Sequence, residues 1–345
     1  MPSKRIYRWD NVKALLIYLV VLGHFVTQYA GSSELCKTLF FIIYTFHMPA
    51  FIFVSGLFSK SSLKNNSIKI NRVITFLLLY VSLKAVIWGV QKAFGENVQF
   101  RLFYEAGIPW YMLAMAVFIS LTYITDKIDP KFLIAISLVI ALIAGYDDDV
   151  NDFLCLSRLL VFYPVFLLGY YADGEKIADL AGRKSIKCIS MLLLAAFIAA
   201  MILLTDRLYA LNLGSIITAR HPYSSLRYPA YGAAFRLCWY ILSGALSFAL
   251  FSAVPGTKNF LSYLGADTLP VYFLHRPLLY IYMLADTNAA LAAAMGGKFI
   301  FLYLFFSVPL TLLLSVKPIG KASDALMKCR YTKIMKKTTS TEDKI

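Results

Sequence analysis

Apolar residues along this chain come in long blocks and not in the stripes of amphipathic helices. The blocks run near 12–30, 38–58, 73–91, 109–125, 131–145, 158–171, 186–204, 236–253, 268–285 and 299–316. Crossing a bilayer core takes about 20 apolar residues of helix. Most of the blocks approach that length with few interior charges, whereas the fifth and sixth are short. The pattern predicts an all-α integral membrane protein, a bundle of about ten transmembrane helices. Residues 1–321 would form one transmembrane domain, and 322–345 a basic cytoplasmic tail lying against anionic lipid. The first block follows basic residues, as a signal peptide would. Its apolar run is too long, however, and Gly23-His24 interrupts it.

Orientation follows from the lysines and arginines between the blocks. With the N-terminus inside, the inner segments collect Lys4, Arg5, Arg8, Lys13, Lys60, Lys64, Lys69, Arg72, Lys176, Arg183, Lys184 and Lys187. The outer segments hold fewer, and one carries Asp147-Asp148-Asp149 with Asp152. Both basic termini then fall on the cytoplasmic side, as an even number of crossings requires. The protein is expected in the plasma membrane as a multi-pass chain.

Composition strengthens this picture. Of 345 residues, 59% are hydrophobic and 15% charged, where soluble domains carry about a quarter charged. Mean hydropathy is +0.67. The net charge of +15 invites a nucleic-acid partner, but the basic residues flank apolar blocks and form no folded basic domain. No nucleic acid is expected. The cysteines Cys36, Cys155, Cys188, Cys238 and Cys329 show no metal-ligand spacing, and no metal is expected. The outer connection near 205–235 holds Arg220-His221-Pro222-Tyr223 and Arg227-Tyr228-Pro229-Ala230-Tyr231. It is either an interfacial aromatic belt or a docking surface for a polar substrate.

Polar groups at membrane depth are costly and tend to mark function. Of the four histidines, His24, His47 and His275 fall inside apolar blocks. Placed about 18 Å along its helix at 1.5 Å per residue, His24 is suited to proton transfer with a hydroxyl; the plainer role is a ring satisfied by a neighbouring helix. His47 precedes Met48-Pro49, where the proline frees a backbone carbonyl. His47 either satisfies backbone there or lines a cavity. Arg276, in His275-Arg276-Pro277, is a full charge at depth and needs a partner or a wet cavity. Lys84 can snorkel. No Walker A loop, GxGxxG, HExxH or GxSxG is present.

Five stretches in order carry a resemblance. They are Arg8-Trp9-Asp10-Asn11-Val12-Lys13 with Leu22-Gly23-His24; Phe46-His47-Met48-Pro49-Ala50-Phe51-Ile52-Phe53-Val54-Ser55-Gly56; Pro109-Trp110-Tyr111-Met112-Leu113; Arg158 through Gly169; and Leu264-Gly265 through His275-Arg276-Pro277. The chain resembles the acyltransferase 3 family of membrane O-acyltransferases, particularly the branch similar to fucose 4-O-acetylases. The resemblance implies about ten core spans and transfer of an acyl group, usually acetyl from cytosolic acetyl-CoA, to a hydroxyl of a cell-surface carbohydrate. It makes His24 the catalytic candidate. It associates a basic pair after the second span with acyl-CoA; the usual Arg-x-x-Arg reads here Lys69-Ile70-Asn71-Arg72. The lysine keeps the charge but loses a planar fork.

The scheme that follows puts Lys69, Arg72 and Arg8 on CoA phosphates and His24 as general base. His275 or Arg276 would stabilise the oxyanion. The acceptor would meet Arg158, Trp110, Tyr111 and His47 from the outer side. A two-step route through acetyl-His is the other option. The competing function is a membrane transporter or flippase for a glycan-related substrate, for which internal repeats would be expected; none is visible.

Overall fold

The computed structural model describes residues 5–64, 67–68, 70–105, 107–284 and 287–316. Lys69 and the expected tail 322–345 lie outside the described residues. Among the described residues the regular elements are helical apart from a short antiparallel pair, Leu63–Lys64 with Ser67–Ile68. The first half comprises α1 (Tyr7–Tyr29), α2 (Glu34–Ser59), α3 (Ile70–Ala93), α4 (Trp110–Ile124), α5 (Pro130–Ile143), α6 (Leu156–Tyr171) and α7 (Gly174–Gly182). The second comprises α8 (Lys184–Ala210), α9 (Gly214–Thr218), α10 (Gly232–Ala253), α11 (Phe260–Leu264), α12 (Leu269–Leu284), α13 (Thr287–Met295), α14 (Phe299–Phe305) and α15 (Ser307–Leu314).

Every predicted block is helical among its described residues, but not every one has the length of a full crossing. Among the described residues, six helices are long and apolar enough to cross a membrane, the last being the run Leu291–Leu314, which takes in the end of α13 with α14 and α15. Trp110–Ile124, Pro130–Tyr146 and Leu156–Tyr171 are shorter apolar helices. The predicted span 268–285 is the 16-residue α12, which carries Pro277. Hydropathy reads these segments like spans because they are apolar throughout, and α5 keeps Phe132, Val139 and Ile143 exposed as a lipid-facing helix would. The connections also hold unexpected helices. The amphipathic α7 follows Asp173, whose carboxylate accepts from the amides of Glu175 and Lys176. Within the connection expected near 205–235, α8 runs on to Ala210 and α9 follows it.

The two ends of the bundle are tied by different groups. At the end holding the start of α1, Arg8 Nη1 donates to the carbonyls of Phe251 and Val254 at 2.8 and 2.7 Å. Asn11 Nδ2 donates to those of Pro255 and Thr257. These bonds fasten α1 to the last turn of α10, whose carbonyls have no helical partner, and to the segment that follows it. At the opposite end, Lys37 pairs with Asp206, and Tyr146 Oη donates to the Ala230 carbonyl. The helices α2 and α6 pack with their backbones in close approach. A Cβ added to Gly169 would stand 1.9 Å from the Phe53 carbonyl oxygen, and one on Gly56 would stand 2.2 Å from that of Phe166. Gly265 sits as tightly against the first turns of α1, 1.7 Å from the Asp10 oxygen. Gly56 and Gly169 close two of the five sequence stretches quoted above, and Gly265 is the second residue of another.

Candidate active site

His24 is the seventeenth residue beyond the start of α1, so it stands about 25 Å up that helix. The sequence-based figure of about 18 Å was too short because α1 begins at Tyr7 and not near residue 12. His24 therefore lies nearer the end opposite the N-terminus. It lines a cavity of about 560 Å³, a size typical of ligand sites. Ala30 and Gly31 after α1, Lys37 at the start of α2 and Tyr209 at the end of α8 also line it. The cavity mouth therefore belongs to that same opposite end.

His275 reaches His24 from α12, with ring centroids 5.4 Å apart. It is 0% exposed and does not line the cavity, so it stands behind His24. Its Nδ1 is 2.8 Å from the Val271 carbonyl, and its Nε2 is buried without a partner. Arg276, the next residue, does line the cavity. Its Nη2 donates to Tyr280 Oη at 3.2 Å, and the guanidinium lies over that ring at 4.4 Å. A second cavity of about 240 Å³ shares Arg276, Gly107 and Ile108 with the first.

Arg158 opens α6 at the mouth. It is 3% exposed and donates to Asp152 Oδ1 at 3.0 Å and to the Gly107 carbonyl at 3.3 Å. Its guanidinium faces the ring of Trp110 at 5.1 Å, and Trp110 stacks on Phe162. Arg158, Trp110 and Phe162 all line the cavity. Asp152 also takes Arg220, at 2.7 Å, which brings Arg220 and His221 into the lining. Burial and the charge of Arg220 lower the pKa of His221.

Lys84 pairs with Glu105 at 2.6 Å, and the same carboxylate accepts from the Gly107 amide. This pair anchors the strap that carries Ile108, whose carbonyl accepts from Tyr272 Oη.

Two expected acceptor residues stand elsewhere. Tyr111 packs between Phe51 and Tyr272, bonds Ser55 Oγ at 2.8 Å and is not in the lining. His47 is turned into α2, with Nδ1 2.8 Å from the Ile43 carbonyl, and is likewise outside the lining. The carbonyl freed by Pro49, that of Thr45, accepts instead from Trp239 Nε1 at 2.8 Å.

At the N-terminal end, Arg72 Nη1 donates to Ser62 Oγ and Ser61 Oγ at 2.8 and 3.1 Å. Arg8 is committed through Nη1 to the end of α10. It also lines a shallow cavity of about 440 Å³ with Arg183. Arg72 is not in the lining of that cavity.

The sequence reading missed Thr27, Gln28, Tyr44 and Met48 as cavity residues. Helical spacing was the usable signal for two of them: Thr27 and Gln28 follow His24 by three and four positions and share its face. Tyr44 and Met48 needed the packing of α2 beside α1. Glu105 sits in a short polar connection, and nothing in its spacing announces Lys84 as its partner.

Comparisons with curated proteins and with solved structures return no match. A family model described as an acyltransferase domain matches residues 6–316, nearly the whole chain. The chain therefore belongs to the acyltransferase 3 family and is a membrane acyltransferase.

Proposed function

We propose that the protein transfers an acetyl group from cytosolic acetyl-CoA to a hydroxyl of a cell-surface carbohydrate in the plasma membrane, in the manner of the fucose 4-O-acetylase-like branch. The observation that carries this reading is His24, set in the wall of a cavity whose mouth lies opposite the N-terminal end. A hydroxyl-rich acceptor suits that mouth, where Arg158, Trp110, Arg220 and His221 offer donors and an aromatic face. Arg158 and Trp110 serve the acceptor directly. Tyr111 and His47 support it through helix packing.

The donor belongs to the N-terminal end. Arg72 offers its guanidinium to CoA phosphate. Arg8 has one nitrogen engaged and serves as a helix cap first, with Arg183 beside it. Lys69 is assigned with Arg72 from the resemblance alone.

His24 takes the proton of the acceptor hydroxyl as its oxygen attacks the thioester carbonyl. The oxyanion of the tetrahedral intermediate is met by Arg276, a permanent cation in the cavity wall. Collapse breaks the C–S bond, and the CoA thiolate takes the proton back from His24. No proton is gained or lost overall.

The test is release of CoA from radiolabelled acetyl-CoA by purified protein, with label followed into a glycan fraction. His24→Ala is expected to lose at least about a hundredfold in turnover. Normal transfer by that variant would overturn the assignment of the base. Absence of CoA release with every acceptor tried would favour a glycan transporter instead.

A further inference from the structure

The pairing of His24 with His275 carries one step more, resting on the reading of His24 as the base. A carbonyl oxygen cannot donate, so the 2.8 Å contact between His275 Nδ1 and the Val271 carbonyl places a proton on Nδ1. In the neutral ring Nε2 is then bare: an acceptor, not a donor. That nitrogen is fully buried and has no partner. A buried acceptor left unmade is costly. The Tyr272 ring is 6.1 Å away, and its hydroxyl already donates to Ile108. His24, at 5.4 Å between ring centroids, is the neighbour with an N–H to give. Neutral His275 is therefore unable to donate to an oxyanion, the role the sequence had offered it.

We propose that His275 is a positioning residue whose bare Nε2 accepts the ring N–H of His24 and so fixes the tautomer in which the other nitrogen of His24 faces the cavity as the base. The placement supports this division. His24 lines the cavity and His275 does not, so His275 acts on the acceptor only through His24. During transfer His24 gains the hydroxyl proton while keeping its N–H on His275. The hydrogen bond to His275 steadies the imidazolium until the thiolate takes that proton. Both rings return to their starting tautomers. The arrangement gives the two histidines unequal roles, set by one backbone carbonyl.

The test uses full-length protein labelled with ¹⁵N-histidine, observed by NMR in lipid, with His275 assigned by comparison with His275→Gln. His275 is expected to be protonated at Nδ1 and bare at Nε2, and His24 to be a single tautomer. In His275→Phe, which keeps ring volume but offers no acceptor, His24 should become a mixture of tautomers. Glutamine, which presents an amide oxygen close to the Nε2 position, should restore one tautomer. In CoA release, His275→Phe should lose about a hundredfold in kcat with little change in KM, and His275→Gln should stay within about tenfold of wild type. Unchanged His47 signals show that a variant is folded.

A proton on His275 Nε2 would overturn the proposal. So would a single His24 tautomer in His275→Phe, or equal losses in both variants. Should no acceptor give turnover, the transferase reading fails separately, and the tautomers still decide this one.

Discussion

Asp152 shows how one side chain organises the cavity mouth. Its carboxylate holds Arg158 at 3.0 Å and Arg220 at 2.7 Å, while Arg158 is only 3% exposed. Removing one partner of a buried pair leaves an uncompensated charge, which costs about 3–5 kcal/mol. Asp152→Ala should accordingly lower stability by about 3 kcal/mol, read as a drop in the thermal midpoint in detergent. A midpoint equal to wild type would show that Arg158 finds other acceptors, the Gly107 carbonyl first among them. The sequence flagged Asp152 only as part of an acidic outer segment. Its role as a clamp appears when Arg220 folds back from the later connection.

At the scale of elements, the glycines ending two motif stretches are where α2 and α6 meet. Helix association in lipid relies on close backbone approach at small residues, and Gly56 and Gly169 supply it. A methyl group on Gly169 would meet the Phe53 carbonyl at 1.9 Å, so backbone must move. Overpacking of this kind costs about 1–3 kcal/mol, and Gly169→Ala should fall at the upper end. Gly89 in α3 has nothing within 4 Å of an added Cβ, and alanine there should be neutral or slightly stabilising through helix propensity. Parallel unfolding of the two variants checks the contrast. The loss should vanish for Gly89→Ala and persist for Gly169→Ala.

For the molecule as a whole, the proposed chemistry needs donor and acceptor to arrive at opposite ends, and the orientation is open to a direct check. Lys176 in α7 is exposed at the end holding the start of α1, and Tyr231, before α10, is exposed at the other. Introduced singly into a cysteine-free background, Tyr231→Cys should react with an impermeant maleimide on intact cells. Lys176→Cys should react only after lysis. The reverse pattern would put the N-terminus outside and remove the cytosolic donor from the Arg72 end. The basic inner segments already argue for the first outcome, because lysine and arginine resist translocation.

Much of this protein was determined by its sequence, and the physical reason is that the information is local. Lipid and buried helix both demand apolar runs, so the ten helical blocks, and His24, His47, His275 and Arg276 within them, were readable one window at a time. The family was readable because its motifs are short and ordered. Which blocks cross completely was not, since α4, α5 and α6 are apolar without the length of the six long spans. Nor did spacing decide which polar residues face the cavity. His47 and His275 look alike in sequence, each bonding the carbonyl four residues back. Only packing puts His275 against His24 from the far end of the chain. Partnering across the bundle is a property of tertiary structure because it depends on how helices distant in sequence lie against each other, and hydropathy does not record that.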